Sequence, residues 1–425
     1  MIWILLITLI LMFIISAPIA IALGVASTLA LAFGSDVPII TIIQRMLNSI
    51  DLFPLMAIPF FVLAGSLMET GGISKRLINL ANAIVGDLKG GLAAVAVITS
   101  MFFAAISGSG PATVAAIGSI LIPAMVAKGY DKNFASSVQS VSGALGVIIP
   151  PSIPIILYGV TAEVSVGQLF LAGIIPGLFI GFTLLIAVLI ISRIKGYSGG
   201  TKSTFKDKLI ALKEASLALF MPVIILGGIY GGIFTPTEAA VVAVVYAFIV
   251  GFFIYKELDL KKLMKILMDS ALSTSIIMII IANAGVFGWL LTRERIPQMI
   301  AESFLSLTEN PYVFLLLVNI LLLAVGMVFE TTAAIIILAP ILAPIAMMMG
   351  IDPIHFGMIM VVNLAIGMVT PPVGVNLFVA AQIGNTTLEK ISKAVIPLLI
   401  VMIIDVLIIS YVPVISTFLP SLFKG

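Results

Sequence analysis

Displacing the chain by 221 residues with no gap lays Pro123 on Pro344, Gly129 on Gly350, Asp131 on Asp352, Gly146 on Gly367, Pro150 and Pro151 on Pro371 and Pro372, and Pro176 on Pro397. Seven coincidences of Gly, Pro and Asp in one register are hard to obtain by chance in a chain dominated by Ile, Leu, Val and Ala. The two halves therefore carry one structural unit twice. Each copy holds a Pro-Pro pair, in GVIIPPSIP (Gly146 to Pro154) and GMVTPPVG (Gly367 to Gly374). Proline has no N–H to give the carbonyl four residues back, so Pro150 and Pro151 strand the C=O groups of Gly146 and Val147, and Pro371 and Pro372 those of Gly367 and Met368. A helix must break at both places.

Composition makes these breaks a membrane problem. The 425 residues are 61% hydrophobic and 9% charged, with mean hydropathy +1.30, which excludes a water-soluble domain of this size. At about 20 apolar residues per span, the chain holds roughly nine to twelve crossings plus shorter re-entrant pieces. Lipid offers no hydrogen bonds, so bare carbonyls at membrane depth must be buried in protein or face a cavity or an ion. Interrupted helices at matching places in two repeats are the signature of a secondary transporter with its site between the repeats. The absence of cysteine excludes disulfides and thiol chemistry, and a net charge of +2 implies no nucleic-acid partner. The apolar run Ile2 to Phe33 lacks a basic leader and is too long for a cleaved signal peptide, so it is expected to stay.

In order, residues 1–51 read as N-terminal scaffold helices, with Ile2 to Phe33 either one kinked helix or two short ones. Residues 52–192 form repeat 1: a crossing at Leu52 to Glu69, an amphipathic interfacial helix at 73–89, a re-entrant hairpin at 90–128 turning at Ser107-Gly108-Ser109-Gly110-Pro111, a broken helix at 131–161 and a return span. Residues 193–265 are a cytoplasmic loop and a scaffold hairpin turning at Thr235-Pro236-Thr237-Glu238, a capping box that accounts for Glu238. Residues 266–425 form repeat 2, with a hairpin at 311–350 whose tip is near Glu330-Thr331-Thr332, a broken helix at 353–382 and a last span, Ala394 to Leu419. The fold class is an all-α polytopic membrane protein.

Placing the basic segment Arg193 to Lys213 in the cytoplasm puts seventeen of the 21 Lys/Arg inside and leaves Arg45, Arg293, Arg295 and Lys424 outside. The first hairpin then enters from the cytoplasm and the second from the opposite side, which makes the repeats inverted. Ionisable residues within the membrane are rare and usually functional. Glu330 is read as functional; Asp405 is open between function and an internal hydrogen bond; Asp131 and Asp352 are read as helix N-caps. His355 stands alone. Neither an HExxH motif nor a catalytic cysteine is present, and GSGPAT lacks the ending of a phosphate-binding loop. The chain reads as a carrier, not an enzyme, and with no nucleotide motif its energy should come from an ion gradient.

SGSGPATVAAIG (Ser107 to Gly118), GALGVIIPPSIPIILYG (Gly143 to Gly159), GIFTPTEAA (Gly232 to Ala240) and IGMVTPPVGVN (Ile366 to Asn376) resemble the large membrane subunit, of the DctM/SiaM type, of tripartite ATP-independent periplasmic (TRAP) transporters. The resemblance runs through essentially the whole chain. It implies Na⁺-driven import of an organic acid, sialic acid or a C4-dicarboxylate among others, across the bacterial inner membrane by an elevator mechanism. The implied partners are a periplasmic substrate-binding protein and a small four-helix membrane subunit. The alternative is a stand-alone Na⁺/dicarboxylate symporter of the divalent-anion type, which needs no binding protein.

Within that frame two Na⁺ sites related by the repeat are expected, built largely of backbone carbonyls freed where helices stop, where the C-terminal half-dipole is negative. The first takes Ser107, Ser109, Gly146, Ile149 and Pro150. The second takes Val328, Glu330, Gly367, Thr370 and Pro371. Substrate is expected between the hairpin tips and the breaks, near Gly108, Gly110, Ser152, Thr331, Thr332 and Asn376, where half-helix N-termini offer partial positive charge to a carboxylate.

Overall fold

The computed structural model describes residues 1–423 except 198, 201–202 and 308–309, so Lys202 and Lys424 of the charge count lie outside the described residues. Among the described residues every regular element is helical. The N-terminal run divides at Ser16–Pro18 into α1 (Ile2–Ile14) and α2 (Ile19–Gly34), packed side by side, followed by α3 (Ile40–Ile50). A 3₁₀ turn, Phe53–Met56, leads into α4 (Ala57–Thr70), and α5 (Ile73–Val85) follows. The first hairpin is α6 (Gly91–Ser107) and α7 (Gly110–Ala127); the first broken helix is α8 (Lys132–Ile148) and α9 (Ile153–Thr161), continued by α10 (Val166–Ile194). Next come α11 (Phe205–Tyr230), α12 (Pro236–Ile249) with a π-helical end at Val250–Ile254, α13 (Leu260–Arg293) and α14 (Ile296–Leu307). The second hairpin is α15 (Pro311–Gly326) and α16 (Thr331–Met348), the second broken helix is α17 (Pro353–Gly367) and α18 (Val375–Ile383), and α19 (Leu388–Tyr411) and α20 (Val414–Leu422) complete the chain.

The 221-residue register holds between helices as well as prolines. Adding it to the bounds of α7 lands on those of α16, and α8, α9 and α10 fall within a few residues of α17, α18 and α19. It also places α5 on α14, an element that polarity alone concealed behind Arg293 and Arg295. The shared Gly-x-Asp has a local cause. Gly129 (φ 84°) and Gly350 (φ 77°) end their helices in the left-handed region, which suits glycine. Two residues later Asp131 caps α8 by accepting from Phe134 N–H at 2.9 Å, and Asp352 caps α17 by accepting from Ile354 and His355 N–H at 2.8 and 3.0 Å. The Thr235/Glu238 capping box at the start of α12 is also closed in both directions.

Contacts between the repeats give their relative direction. Lys132 Nζ donates to Asn385 C=O at 3.0 Å and Thr386 bonds Asn133, so the end of the second broken helix lies at the start of the first. Tyr158 O–H donates to Pro353 C=O at 2.8 Å, so the end of the first lies at the start of the second. The two broken helices are antiparallel. In the same exchange, α9 packs on α16 and α18 on α7. The cations divide accordingly: Arg45 and Arg293 both stack on Trp289, whereas Arg76 meets Tyr255 and Glu257 at another end of the bundle.

Outward faces are apolar, as lipid contact demands. On α10, Leu178, Phe182, Ile186 and Ile190 follow one another every four residues and are exposed, while Ile180, Leu184 and Val188 are buried. Eight helical segments among the described residues are long and apolar enough to cross, and the α8–α9 pair, bent by 40°, makes a ninth. This is the lower end of the range expected from composition. The physical reason is interruption: α1 and α2 have 13 and 16 residues, and α17 stops after 15, about 20–24 Å each at 1.5 Å per residue against a core of about 30 Å.

Candidate functional site

At the first tip, Ser107 ends α6, Gly108 turns the chain with φ 60°, and Ser109 caps α7. Ser107 Oγ and Thr113 Oγ1 are 2.8 Å apart, and Thr113 Oγ1 donates to Ser109 C=O at 2.8 Å. The tip presses directly on the first break, because a Cβ at Gly146 would lie 2.5 Å from both Ser109 O and Thr113 Oγ1. Of the two carbonyls the prolines strand, that of Val147 accepts from Ser152 Oγ at 2.6 Å. The Ile149 N–H returns to Leu145 C=O. Gly146 C=O is thus left without a partner among the described residues at the end of a half-helix, where the Gly146 backbone packs against Ser109 C=O and the Thr113 hydroxyl. Gly173 and Gly177 of α10 back the break, with Cβ positions 2.8 Å from Ile148 O and 2.4 Å from Ile149 Cγ1.

The second break differs. Thr370 N–H donates to Gly367 C=O at 2.9 Å, closing a tighter turn, and Thr370 Oγ1 donates to Ile366 C=O at 2.7 Å. Asn376 N–H takes Met368 C=O at 3.0 Å, so the carbonyls freed by Pro371 and Pro372 are already partnered. Gly367 lies against Gly326, and Gly374 N–H reaches Met327 C=O at 3.4 Å, tying break to tip. Both Pro-Pro bonds are cis. Val328 is 60% exposed. Glu330 caps α16: Oε2 accepts from Thr332 and Ala333 N–H at 3.0 and 3.4 Å, and Oε1 from Thr332 Oγ1 at 2.5 Å.

Both tips open on one cleft of about 390 Å³, to which the first hairpin brings Gly108, Ser109 and Pro111 and the second Glu330, Thr332 and Ala333. Val147, Ile153 and Pro154 come from the first break, and Ser273, Ile276, Ile277 and Ile280 of α13 form the opposite wall. A smaller recess of about 200 Å³ reaches Ser107 from the α4 side, past Ser66 and Glu69. The N-termini of α7 and α16 thus converge on one space: the positive dipole end of α7, capped by a neutral serine, suits an anion, whereas at α16 the Glu330 carboxylate already takes the Thr332 and Ala333 N–H groups and brings a negative charge to the cleft. Ser109 and Glu330 are related by the repeat and perform the same capping task there.

The other expected residues stand behind the cleft. Ser152 is spent on Val147, Thr331 is fully buried, and Asn376 is buried against Gly110, whose Cβ position is 3.1 Å from Asn376 Oδ1. Asp405 joins α19 to α10 by accepting from Thr183 Oγ1 at 2.6 Å, and His355 lies between Ser416 Oγ and Ser410 C=O. Neither reaches the cleft. Sequence reasoning passed over Ser273, Ser66 and Glu69; the polar island Ser270–Ser275 inside the long apolar α13 was the available signal. Among the described residues no group of three His, Cys, Asp or Glu could hold a metal ion, so a hard cation at either break would be bound by carbonyl and hydroxyl oxygens.

Comparison with known proteins agrees with this architecture. A structure of the Alcanivorax borkumensis YdaH transporter shares the fold, with a TM-score of 0.61 at 15% identity over 90% of this chain and 87% of that one. The C4-dicarboxylate TRAP transporter large permease protein DctM of Vibrio cholerae is 46% identical over 97% of this chain and 96% of its own length. The sialic acid large permease SiaM of the same organism is 40% identical over 90% of each. The isethionate permease DctMQ of Oleidesulfovibrio alaskensis is 48% identical over 95% of this chain, which spans 64% of that relative's length. The family model of the tripartite ATP-independent periplasmic transporter, DctM component, matches residues 6–415. The chain belongs to that family: it is a multi-pass membrane protein and a large permease component of a TRAP transporter.

Proposed function

We propose that this permease imports an organic acid across the bacterial inner membrane, driven by Na⁺, with the anion held between the hairpin tips. The observation that carries the reading is the convergence of the α7 and α16 N-termini, capped by Ser109 and Glu330, on one cleft. The sulfonate or carboxylate of relatives named for isethionate, C4-dicarboxylates or sialic acid has the charge that the serine-capped α7 N-terminus favours, and the Glu330 carboxylate at α16 calls for a cation between itself and the anion. A periplasmic binding protein delivers the acid, and a small four-helix membrane subunit completes the scaffold. Na⁺ binds at the two breaks, most tightly at the first, where Gly146 C=O, Ser109 C=O and the Ser107 and Thr113 hydroxyls form an oxygen-rich pocket. Movement is of the elevator type: the hairpins and broken helices, which exchange contacts as one packed body, slide against the α13 wall and the N-terminal helices.

Reconstitution in proteoliposomes tests this directly. With small subunit, binding protein and an inward Na⁺ gradient, uptake of a cognate acid is expected. Uptake that is indifferent to Na⁺ refutes the coupling, and robust Na⁺-driven uptake by the chain alone refutes the tripartite reading in favour of a stand-alone symporter.

A further inference from the structure

One seam of the molecule is polar and incompletely satisfied, and it lies away from the cleft. Along α8, Ser136, Ser140, Gly143 and Gly146 succeed one another at three- and four-residue intervals and so share a face. That face meets α18 and the first tip. The Cβ position of Gly384, just past α18, is 2.1 Å from Ser136 Oγ; Asn376 Nδ2 donates to Ser140 C=O at 3.4 Å; the Cβ position of Gly143 is 3.2 Å from Gly110 O; and Gly146 abuts Ser109 O. Beside it, Gln139 Nε2 donates to Ser100 Oγ at 3.3 Å and to Thr113 C=O at 3.5 Å, and Thr113 in turn joins the tip. Polar side chains and backbone oxygens thus recur along this face from Ser136 to Gly146, about 15 Å of helix.

Four oxygens on this path, Ser136 Oγ, Gln139 Oε1, Ser140 Oγ and Asn376 Oδ1, have no hydrogen-bond partner among the described residues, and all four residues are fully buried. Two of them are amide acceptors, which only a donor or a cation can satisfy. Buried polar atoms are rarely left unpaired, and a run of neighbouring orphans implies a shared occupant. The repeat supplies an internal control. Shifting by 221 residues turns Ser136, Gln139 and Ser140 into Gly357, Met360 and Val361, and Asn376 into Ile155. There the corresponding seam is apolar, and the Tyr158 ring fills the space at Gly357, 2.3 Å from its Cβ position.

We propose that the α8 seam is a hydrated conduit joining the first break to the membrane face where α8 begins, passing water and a small hard cation but not the organic substrate. It gives the first break a private route to the face that carries Lys128 and Lys132, a route the second break lacks.

The chain has no cysteine, so single-cysteine variants of the full-length protein in liposomes report access without background. Ag⁺, a small cation with strong affinity for thiolate, is the probe, and a bulky maleimide applied to the folded protein is its comparison. Thiol remaining is read by mass tagging after denaturation, on variants that are monodisperse before reconstitution. Ser136→Cys and Ser140→Cys are expected to lose their thiols to Ag⁺ on the order of tenfold faster than Val141→Cys, because a site that needs local opening is protected. Val141 is equally buried on the same helix but lies on the opposite face, at least about 100° around the helix from each seam residue. Adding Gln139→Leu to either reporter should slow capture, and the maleimide should leave both untouched. Equal Ag⁺ rates at positions 136, 140 and 141, or reaction of the first two with the maleimide, overturns the conduit. No transport is measured, so failure of Na⁺ coupling would leave this result unaffected.

Discussion

The two Pro-Pro breaks descend from one motif and end in different chemistry. At the first, every residue from Gly146 to Ser152 is buried and a tip of Ser, Gly and Ser is small enough for its backbone to reach Gly146. At the second, Pro372 and Val373 are exposed, the freed carbonyls are taken up by Thr370 and Asn376 N–H, and the tip carries Phe329 and Glu330 in place of Gly108 and Ser109. Proline dictates that a helix stops. The side chains opposite decide whether the released oxygens remain available. A repeat thus preserves the break and lets the two sites diverge, one as a carbonyl-and-hydroxyl pocket, the other as a carboxylate at the mouth of the cleft.

The largest expected effect tests the tight contact at the first break. Gly146→Val forces side-chain atoms into Ser109 O and Thr113 Oγ1, and overpacking of this kind costs about 1–3 kcal/mol. Uptake should be abolished in reconstituted transporter, and a thermal melt should fall; retention of wild-type uptake would show that tip and break are not in contact. Next, Pro150→Ala restores an N–H able to bond Gly146 C=O and re-close the helix, whereas the same change at Pro371 meets a Gly367 carbonyl already partnered by Thr370. Measured side by side as Na⁺ dependence of uptake, Pro150→Ala should lose more than Pro371→Ala. Equal losses would erase the distinction drawn between the breaks.

Glu330 separates capping from charge. Glu330→Ser imports the residue that serves as cap at position 109, so stability should hold while the dependence of uptake on substrate concentration changes. Glu330→Ala should in addition lose about 0.5–2 kcal/mol of capping stabilisation, read as a drop in Tm. Matching uptake kinetics for Glu330→Ser and wild type would confine the carboxylate to capping. The smallest effect belongs to Ser107→Ala, because Thr113 Oγ1 still holds Ser109 C=O; a stability change of about 0.5–1.5 kcal/mol is expected for the lost hydrogen bond, with Na⁺ dependence shifted less than by Pro150→Ala.

Much of this architecture was legible because proline and glycine act locally. Gly129, Asp131, Pro150 and their partners 221 residues on declare a helix end, a cap and a break from the covalent chemistry of one or two residues, with no knowledge of the fold. The same locality explains what was missed. The apolar residues Ile296, Met299, Ile300, Phe304 and Leu307 of α14 have helical spacing, but the segment is too short to span and passes for a connection until the register of α5 is extended, and Ser273 looks like any serine in a span until α13 is seen to wall the cleft.

By itself, then, the sequence determined that the protein is a helical membrane carrier with duplicated broken helices, since hydropathy, helix breaking and charge asymmetry are properties of short segments. Only the tertiary structure decided which freed carbonyl finds a partner, that Ser109 and Glu330 cap helices aimed into one cleft, and that Ser152, Thr331 and Asn376 lie behind it. Those outcomes depend on contacts between residues far apart in the chain, such as Asn376 and Ser140, 236 positions apart. Whether a polar atom is satisfied in a medium without water depends on the distance and direction of its neighbours, which no local segment encodes.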